Sequence, residues 1–328
     1  MKQITLGRDG PPVPNLGLGL MGMSGTYGPA DDGDSIDTIR AAIDAGVTFL
    51  DTGDFYGMGH NEMLLGEAIR GRRAEVFISV KFGMLRGPSG PPLGYDARPA
   101  AVKTFLAHTL TRLRTDHVDL YQPARVDKAV PIEETVGAIA ELIEAGYVRH
   151  VGLSEASAAT IRRAHAVHPV AALQTEYSLA SRKIETTTLP AMEELGVGLV
   201  AYGVLCRGLL GGHVTAETAY PLSDIRHRAP RFHAEHREHN LGLVAALTKI
   251  AGDAGLTPAQ LALGWALARR GDTVALIGTR GRAHLDDAVR AAATPLGADV
   301  VAAIEAAIPA GAFRGERYNE QHMKAVEE

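Results

Sequence analysis

The 328-residue sequence has little of what marks secreted or membrane proteins. Its single cysteine, Cys206, excludes an internal disulfide and suits a reducing cytoplasm. No apolar run approaches about 18 residues, the length that a membrane-spanning helix needs. Residues 1–10 lack the apolar stretch of a signal peptide. We therefore predict a cytoplasmic protein that does not bind a membrane.

Positive charge is also scarce. The chain has 33 Lys and Arg residues against 38 Asp and Glu residues, for a net charge of −5. Nucleic acids and anionic lipids are bound by surfaces rich in basic residues, so we expect neither kind of partner. The sequence also lacks a Pro/Gly/Ser-rich linker and any low-complexity tract. With 46% hydrophobic residues, it is long enough to bury a large core in one large α/β domain or in two ordinary ones.

Short β-branched runs alternate along the chain with longer segments of helical period. The eight candidate strands are Leu16–Leu20, Val47–Asp51, Val76–Lys81, Val118–Gln122, Val148–Leu153, Ala171–Thr175, Gly198–Tyr202 and Val274–Gly278. Helices are predicted to begin near Asp34, Asn61, Pro99, Ile132, Ser157, Thr187, Pro258 and Ala283. Eight such units predict an α/β fold, a closed (β/α)8 or TIM barrel. A doubly wound sheet, the alternative, rarely contains eight units in one domain.

Two further elements flank the predicted barrel. Residues 2–13 read as a β-hairpin with its turn at Arg8-Asp9-Gly10, which would close the barrel floor. Asp299–Ile308 reads as an extra helix, part of a C-terminal helix and tail of residues 299–328. The prediction is a single domain of residues 1–328, with the barrel at about residues 14–293.

Active-site groups of such barrels lie at the C-terminal ends of the strands and in the loops that follow. Strand two ends at Asp51 and is followed by Tyr56, and strand three ends at Lys81. A buried lysine needs a counter-charge, which Asp51 can provide. A cation beside the tyrosine oxygen would lower its pKa from about 10 and make Tyr56 a usable general acid. Alternatively, Asp51 and Lys81 form a purely structural ion pair and Tyr56 is an aromatic residue of the rim.

Polar groups also follow strands five to eight. Ser154 and Gln174 could hydrogen-bond a carboxamide while Tyr202 stacks on a flat ring. After strand eight, Arg280 and Arg282 precede a helix whose N-terminus favours an anion, and this corner of a barrel often binds phosphate. The alternative is that both arginines are simply solvated.

Three histidines after strand seven, His233, His236 and His239, are spaced three apart. On a helix they would lie near one face, but neither Asp nor Cys spacing supports a metal site, and we predict none. Mobile substrate or cofactor loops are expected instead at residues Gly203–Asn240, Met84–Arg98 and Pro123–Pro131.

Several segments together resemble a known family. They are "GLGLMGMSGTYG", "FLDTGDFYGMGHNEMLLGEAI", "VKFG", "VDLYQ", "VPIEETVGAIAELIEAGYVRHVGLSE", "QTEYSL", "AYGVLCRGLLGG" and "IGTR", and they span roughly residues 14 to 290. The chain resembles the aldo-keto reductases, particularly the bacterial branch similar to potassium-channel β-subunit-like and pyridoxal-reductase-like members. The resemblance implies a barrel that binds NADPH without a glycine-rich dinucleotide fingerprint. No GxGxxG leads from a strand into a helix in this sequence.

The resemblance also implies roles for individual residues. Tyr56 is the general acid, Lys81 lowers its pKa, and Asp51 is the partner of Lys81. Arg280 falls where the family often holds the 2′-phosphate, which favours NADPH over NADH. The cofactor-binding residues that it implies are Gly22, Met23, Asp51, Ser154, Gln174, Tyr202, Gly203, Leu205, Arg207, Gly208, Gly278, Thr279, Arg280, His284 and Asp287, with Ala288 in place of the usual Asn beside Asp287.

The catalytic tetrad of that family includes a histidine, and in this sequence Ala124 occupies its position. Its loss removes one preorganised hydrogen-bond donor but not the proton source. We therefore expect an NADPH-dependent reductase of aldehydes or ketones with an atypical substrate pocket. The segments "QPARVD" and "LCRGLLGG" look most like pyridoxal-reductase-like members, so pyridoxal or another aromatic aldehyde is the first candidate substrate. The alternative is an NADPH-binding regulatory or sensor protein with little turnover.

Overall fold

The computed structural model describes residues 1–88 and 92–327. The described strands are β1 (Gln3–Thr5), β2 (Pro12–Pro14), β3 (Leu16–Gly19), β4 (Phe49–Gly53), β5 (Phe77–Phe82), β6 (Met84–Arg86), β7 (Pro92–Tyr95), β8 (Val118–Pro123), β9 (Val148–Ser154), β10 (Val170–Glu176), β11 (Gly198–Tyr202) and β12 (Thr273–Ile277). Eight of them pair in parallel in the order β3-β4-β5-β8-β9-β10-β11-β12 and close into a barrel. The predicted (β/α)8 barrel is confirmed, and each predicted strand overlaps an observed one.

Helices lie between successive barrel strands, and others follow the last strand. They are α1 (Asp32–Asp44), α2 (His60–Ala68), α3 (Pro99–Leu113), α4 (Ile132–Glu144), α5 (Ala158–Val167), α6 (Ile184–Thr187), α7 (Leu189–Leu195), α8 (Ala234–Asp253), α9 (Pro258–Ala268), α10 (Arg282–Ala293), α11 (Ala298–Ala307) and α12 (Glu320–Met323). The extra helix after the eighth unit is confirmed as α11. In the described part of the chain, no helix is both long enough and apolar enough to cross a membrane.

The N-terminal hairpin closes one end of the barrel, as predicted. Strands β1 and β2 pair antiparallel, and Leu6 and Val13 pack with Phe49 and other barrel side chains in a cluster separate from the strand–helix core. The backbone N–H of Arg8 donates to the carbonyl of Gly196 at 2.8 Å. A Cβ on Gly7 would lie 2.3 Å from that carbonyl oxygen, so only glycine permits this approach. The functional groups must therefore lie at the opposite, open end.

One expectation about the loops is wrong. The segment Gly203–Asn240 was expected to be a single mobile loop, but its last residues form the start of the 20-residue helix α8. The same segment also contains short 3₁₀ turns at residues 206–211, 225–228 and 230–232. The start of α8 is rich in His, Glu and Arg and lacks apolar periodicity, so the pattern did not indicate a helix. Of the expected loop Met84–Arg98, residues 89–91 lie outside the described residues, and the flanking parts form the β6–β7 hairpin.

A buried carboxyl group lies just below the open end. Asp54 follows β4 and is 8% exposed, and one of its oxygens accepts from the backbone N–H of Gly83 at 3.3 Å. Loss of solvent, together with the nearby Glu62 carboxylate, raises the pKa of Asp54 to about 7. Glu62 itself is paired with Arg112. Asp54 therefore has no cation of its own and is held in its neutral form below about pH 7.

We expect Asp54→Asn to change how stability depends on pH. The carboxyl ionises near 3.8 in an unfolded chain and near 7 in the folded one. Between these values the folded state holds the extra proton, so the free energy of unfolding falls as pH rises through this window. The variant should remove this fall and gain up to about 4 kcal/mol over the wild type at pH 8, with little difference at pH 4.

Urea unfolding at both pH values measures the effect of Asp54→Asn. The exposed Asp253→Asn at the end of α8 serves as the control. Because it keeps Asp54, it should show the same fall in the free energy of unfolding between pH 4 and pH 8 as the wild type. Equal behaviour of the two variants would contradict the assignment of a buried neutral carboxyl group at position 54.

Candidate active site

A buried ion pair lies at the open end of the barrel. Lys81 on β5 donates to Asp51 on the neighbouring strand β4, and each side chain is only 5% exposed. The other carboxylate oxygen of Asp51 accepts from Ser79 at 2.9 Å and from Gln174 on β10 at 2.7 Å. Asp51 is the third residue of β4 rather than its last, because the strand begins at Phe49 and runs on to Gly53. This network therefore joins strands from opposite parts of the barrel wall and fixes the carboxylate.

Tyr56 lies directly above this pair, in a short turn that follows β4. The Nζ atom of Lys81 is 5.2 Å from the centroid of the Tyr56 ring, and Phe55 packs edge-on against the same ring. The expected lowering of the tyrosine pKa is wrong. Desolvation and the Asp51 carboxylate raise the pKa of Tyr56 well above its usual value of 10.0. The physical reason is that burial removes the hydroxyl from water, and the nearby Asp51 carboxylate adds a further penalty for the phenolate.

Burial acts on the lysine as well. It lowers the pKa of Lys81, while the Asp51 carboxylate opposes that change. The arrangement keeps a proton on Tyr56 and a compensated cation beneath its ring. Such a hydroxyl can donate a proton, but the anion that it leaves needs further stabilisation from its surroundings.

Ala124 lies at the same open end of the barrel as Tyr56; this end is called the mouth below. It follows β8 and is 1% exposed, and its backbone N–H donates to the carbonyl of Phe82 on β5 at 2.8 Å. The next residue, Arg125, contributes a positive charge that acts on both Tyr56 and Lys81. Position 124 thus lies at the end of β8, next to the end of the strand that carries Lys81, and a cation follows it immediately.

The C-terminal parts of the adjacent strands β9, β10 and β11 carry three residues with expected cofactor roles, Ser154, Gln174 and Tyr202. Ser154 ends β9, pairs in register with Gln174 on β10, and is 1% exposed. Its hydroxyl has no hydrogen-bond partner among the described residues. A buried hydroxyl without a partner is costly, so it marks a place where a polar ligand atom fits. The Gln174 amide nitrogen is already used by Asp51.

Tyr202, at the end of β11, is held by hydrogen bonds. Its hydroxyl donates to Glu155 at 2.6 Å and lies 2.9 Å from the hydroxyl of Tyr318. The turn that follows contains the expected residues Gly203, Leu205, Arg207 and Gly208. In this turn Cys206 and Arg207 both adopt positive φ. Arg207 is 3.5 Å from Glu176 and donates to the backbone carbonyl of Arg317 at 2.7 Å.

Arg280 lies beside an open cavity at the expected phosphate corner. The cavity has a volume of about 220 Å³ and is lined by Arg280 together with Pro29, Ala30, Asp31, Asp34 and Ser35. The guanidinium donates to the carbonyl of Pro29 at 2.7 Å. The other residues expected on this side, Gly278, Thr279 and His284, lie between β12 and the first turn of α10, while Gly22 and Met23 lie after β3.

Asp287 is committed to contacts within the protein. Its carboxylate accepts from Gln260 at 2.7 Å and from Arg290 at 3.0 Å, and it lies 3.3 Å from the hydroxyl of Thr257. Thr257 and Gln260 form the capping box of α9, so Asp287 ties α10 to the start of α9. Its expected role in binding the cofactor would compete with these bonds.

The C-terminal segment contributes residues that the sequence analysis did not assign. Arg317 donates two hydrogen bonds to Glu155, at 2.7 and 2.6 Å, and both side chains are buried. The Tyr318 ring is surrounded by guanidinium groups at 4.7 Å (Arg207), 5.7 Å (Arg317) and 5.9 Å (Arg125). Residues after α11 therefore cover the ends of β9 to β11. The arginine and tyrosine in "GERYNEQH" were the only signal that could have indicated this.

The three spaced histidines lie at the start of α8. His239 lies 2.8 Å from the carbonyl of Ala312, and His236 is 3.4 Å from Glu235. Over residues 1–88 and 92–327, no group of three His, Cys, Asp or Glu residues is arranged to hold a metal ion.

Known proteins share this architecture. Among solved structures, the glycerol dehydrogenase AKR11B4 from Gluconobacter oxydans superimposes with a TM-score of 0.84 at 28% identity, over 93% of this chain and 94% of that one. The holo form of the aldo-keto reductase AKR11C1 from Bacillus halodurans gives a TM-score of 0.79 at 27% identity, over 98% and 99% of the two chains.

The sequence comparisons agree with the structural ones. The chain is 40% identical over 320 residues to the probable aldo-keto reductase 1 of Glycine max, a match that covers 97% of this chain and 92% of that protein. Residues 15–309 match the sequence model of the Aldo/keto reductase family. This range contains all eight barrel strands together with Asp51, Tyr56 and Lys81. The chain therefore belongs to the aldo/keto reductase family.

Proposed function

We propose that this protein is an NADPH-dependent reductase that converts an aldehyde or ketone to the alcohol, with Tyr56 as the general acid. As a family member, the chain is an oxidoreductase of carbonyl compounds that uses a nicotinamide cofactor. The preference for NADPH over NADH and the role of Tyr56 as the general acid are the parts that we add to this family assignment. The observation that carries the proposal is the buried Lys81–Asp51 pair beneath the Tyr56 ring.

The residues around the mouth suit the cofactor. The unpartnered hydroxyl of Ser154 can hydrogen-bond a carboxamide, with Gln174 beside it and Tyr202 available to stack on the nicotinamide ring. Arg280 beside its open cavity suits the 2′-phosphate. The bound cofactor supplies hydride to the carbonyl carbon. The remaining residues of the proposed binding set are Gly22, Met23, Asp51, Gly203, Leu205, Arg207, Gly208, Gly278, Thr279, His284 and Asp287, of which Asp287 would have to give up contacts to α9.

Tyr56 gives its proton to the carbonyl oxygen in this proposal. Its raised pKa keeps the hydroxyl protonated at neutral pH, so the acid form is always present. The phenolate that forms is then stabilised by Lys81 and by the positive charge of Arg125. This charge partly opposes the rise in the pKa of Tyr56 that burial causes. Asp51 holds Lys81 in place, because Ser79 and Gln174 fix its carboxylate.

An aromatic aldehyde such as pyridoxal remains the first candidate substrate. The Arg125 guanidinium lies 5.9 Å from the centroid of the Tyr318 ring. Aromatic side chains of this kind favour a flat ring by stacking. Position 124 carries a methyl group where the histidine of the family would carry an imidazole.

A second candidate function, an NADPH-binding regulator with little turnover, is favoured by the missing donor at Ala124. A screen of NADPH oxidation over aldehydes, ketones and pyridoxal distinguishes the two functions. Turnover well above the slow oxidation of bound NADPH would eliminate the regulator, and the absence of turnover with every compound would favour it.

We expect Tyr56→Phe to lower kcat for carbonyl reduction by at least about 100-fold, because the variant lacks the proton donor. Its affinity for NADPH, measured by quenching of protein fluorescence, should be unchanged. Tyr147→Phe, at a side chain that is 48% exposed, is the matched control and should keep full activity. An unchanged rate in Tyr56→Phe would exclude Tyr56 as the acid.

Ala124→His should shift substrate preference, since it restores a hydrogen-bond donor beside Tyr56 and fills space. The same NADPH-oxidation screen measures the shift. Ala124→Leu adds comparable bulk without a donor and separates the two effects. If all three proteins give the same substrate profile, position 124 does not face the substrate.

Arg280→Met should weaken NADPH binding about tenfold and leave NADH binding unchanged, because one charge-assisted hydrogen bond to the 2′-phosphate is lost. Titration with both cofactors measures this. Arg149→Met is the control, because Arg149 is the exposed second residue of β9. Equal weakening for NADPH and NADH would show that Arg280 does not contact that phosphate.

A further inference from the structure

Arg125 is a cation of the mouth that has no acidic partner. Its only hydrogen bond within the described part of the chain runs from Nη1 to the carbonyl of Ala124, at 2.6 Å. Its Nε atom is buried and has no hydrogen-bond partner there. Among residues 1–88 and 92–327, no carboxylate lies within ion-pair distance of the guanidinium. Buried N–H groups in proteins nearly always have a hydrogen-bond acceptor, so the Nε–H group of Arg125 is available to an acceptor on a ligand.

The other cations of the mouth are all paired. Lys81 is bound to Asp51. Arg207 and Arg231 share Glu176, at 3.5 and 3.0 Å. The two oxygens of Glu155 are occupied by Arg317 and Tyr202. The list of paired cations is thus Lys81, Arg207, Arg231 and Arg317, and their acids are Asp51, Glu176 and Glu155. Cations therefore outnumber acids among these residues of the mouth. Arg125 is the cation that forms no ion pair with any of the three acids.

The side chain that packs on the Arg125 guanidinium is aromatic. The guanidinium carbon is 5.9 Å from the centroid of the Tyr318 ring, whereas Glu155, which is bound by Arg317, acts on its charge from beyond ion-pair distance. A ring face stabilises a cation only in part and leaves the in-plane N–H groups free. The planar fork of N–H donors matches a carboxylate or phosphate group.

We propose that Arg125 binds an anionic group of the substrate, so that the site selects aldehydes or ketones that carry a carboxylate or a phosphate. The inference rests on the proposed reductase function and names its substrate class. Arg125 directly follows Ala124, the position at which the family has its histidine, and its charge acts on Tyr56. An anion held at Arg125 would orient the carbonyl group toward the Tyr56 hydroxyl. The charge at position 125 thereby replaces the orienting contact that a histidine at position 124 would make.

The test compares two aldehydes of nearly equal shape, 4-carboxybenzaldehyde and its neutral amide, 4-formylbenzamide. The wild-type protein should show at least about a tenfold higher kcat/KM for the carboxylate. Arg125→Met should abolish this ratio, and Arg125→Lys should retain part of it because the charge remains. Arg98→Met, at an exposed arginine paired with Asp96, is the control and should keep the wild-type ratio. Pyridoxal 5′-phosphate and pyridoxal, compared in the same way, report whether phosphate is the preferred anion.

Three results would overturn the inference. The first is equal kcat/KM for the charged and neutral member of both substrate pairs in the wild type. The second is an Arg125→Met variant that loses activity equally on both members. The third is a loss of NADPH affinity in Arg125→Met, which would assign the arginine to the cofactor. If Arg125→Met does not fold, Arg125→Gln takes its place, with the melting temperature and NADPH affinity as checks.

Failure of the proposed function is distinguishable from failure of this inference. If none of the aldehydes is reduced although NADPH binds, the reductase function fails. The inference is then tested by calorimetric titration of the NADPH-loaded protein with benzoate and benzamide. Benzoate should bind more tightly, and Arg125→Met should remove the difference. Equal binding of both compounds to the wild type would overturn the inference on its own.

Discussion

The buried contact between Lys81 and Asp51 is the interaction on which the whole mouth depends. Two charges are taken out of water at the centre of the barrel, and such a pair is tolerated only when its remaining hydrogen bonds are satisfied. Ser79 and Gln174 provide them from β5 and β10. Because β10 lies across the ring from β4, the hydrogen bond from Gln174 to Asp51 forms only when the barrel is closed. The ion pair itself joins the neighbouring strands β4 and β5.

Around this centre, charge is distributed so that acids are outnumbered. Glu155 and Glu176 each bind arginines that come from distant parts of the chain, including the segment after α11. Desolvation keeps Tyr56 protonated, and the cations facing it oppose that effect only in part. The mouth is therefore organised to receive negative charge. Under the proposed function, negative charge would enter with the phosphates of the nicotinamide cofactor, would develop on Tyr56 during proton transfer, and would be carried by an anionic substrate.

The sequence predicted those parts that follow from local pattern and from barrel topology. Parallel strands bring their C-terminal ends to one rim, so Asp51, Lys81, Ser154 and Gln174 could be expected together before any coordinates. The direction of the Tyr56 pKa shift could not be expected, because it depends first on how completely the fold buries the hydroxyl and then on the nearby Asp51 carboxylate. The engagement of Asp287 by α9 and the covering of the mouth by Arg317 and Tyr318 are contacts between distant residues. No periodicity encodes such contacts, and the charged start of α8 was missed for lack of an apolar stripe.

The pairing of Glu155 with Arg317 has a consequence for how the protein assembles. The two residues are separated by 162 positions, so their contact closes one of the long loops of the chain. Closing so long a loop costs conformational entropy, so the contact is favoured only when the elements between the two residues are already ordered. A chain whose barrel has closed but whose last segment has not docked would hold Glu155 at the mouth without its arginine. The mouth therefore has its full set of ion pairs only when the last segment is docked on the barrel.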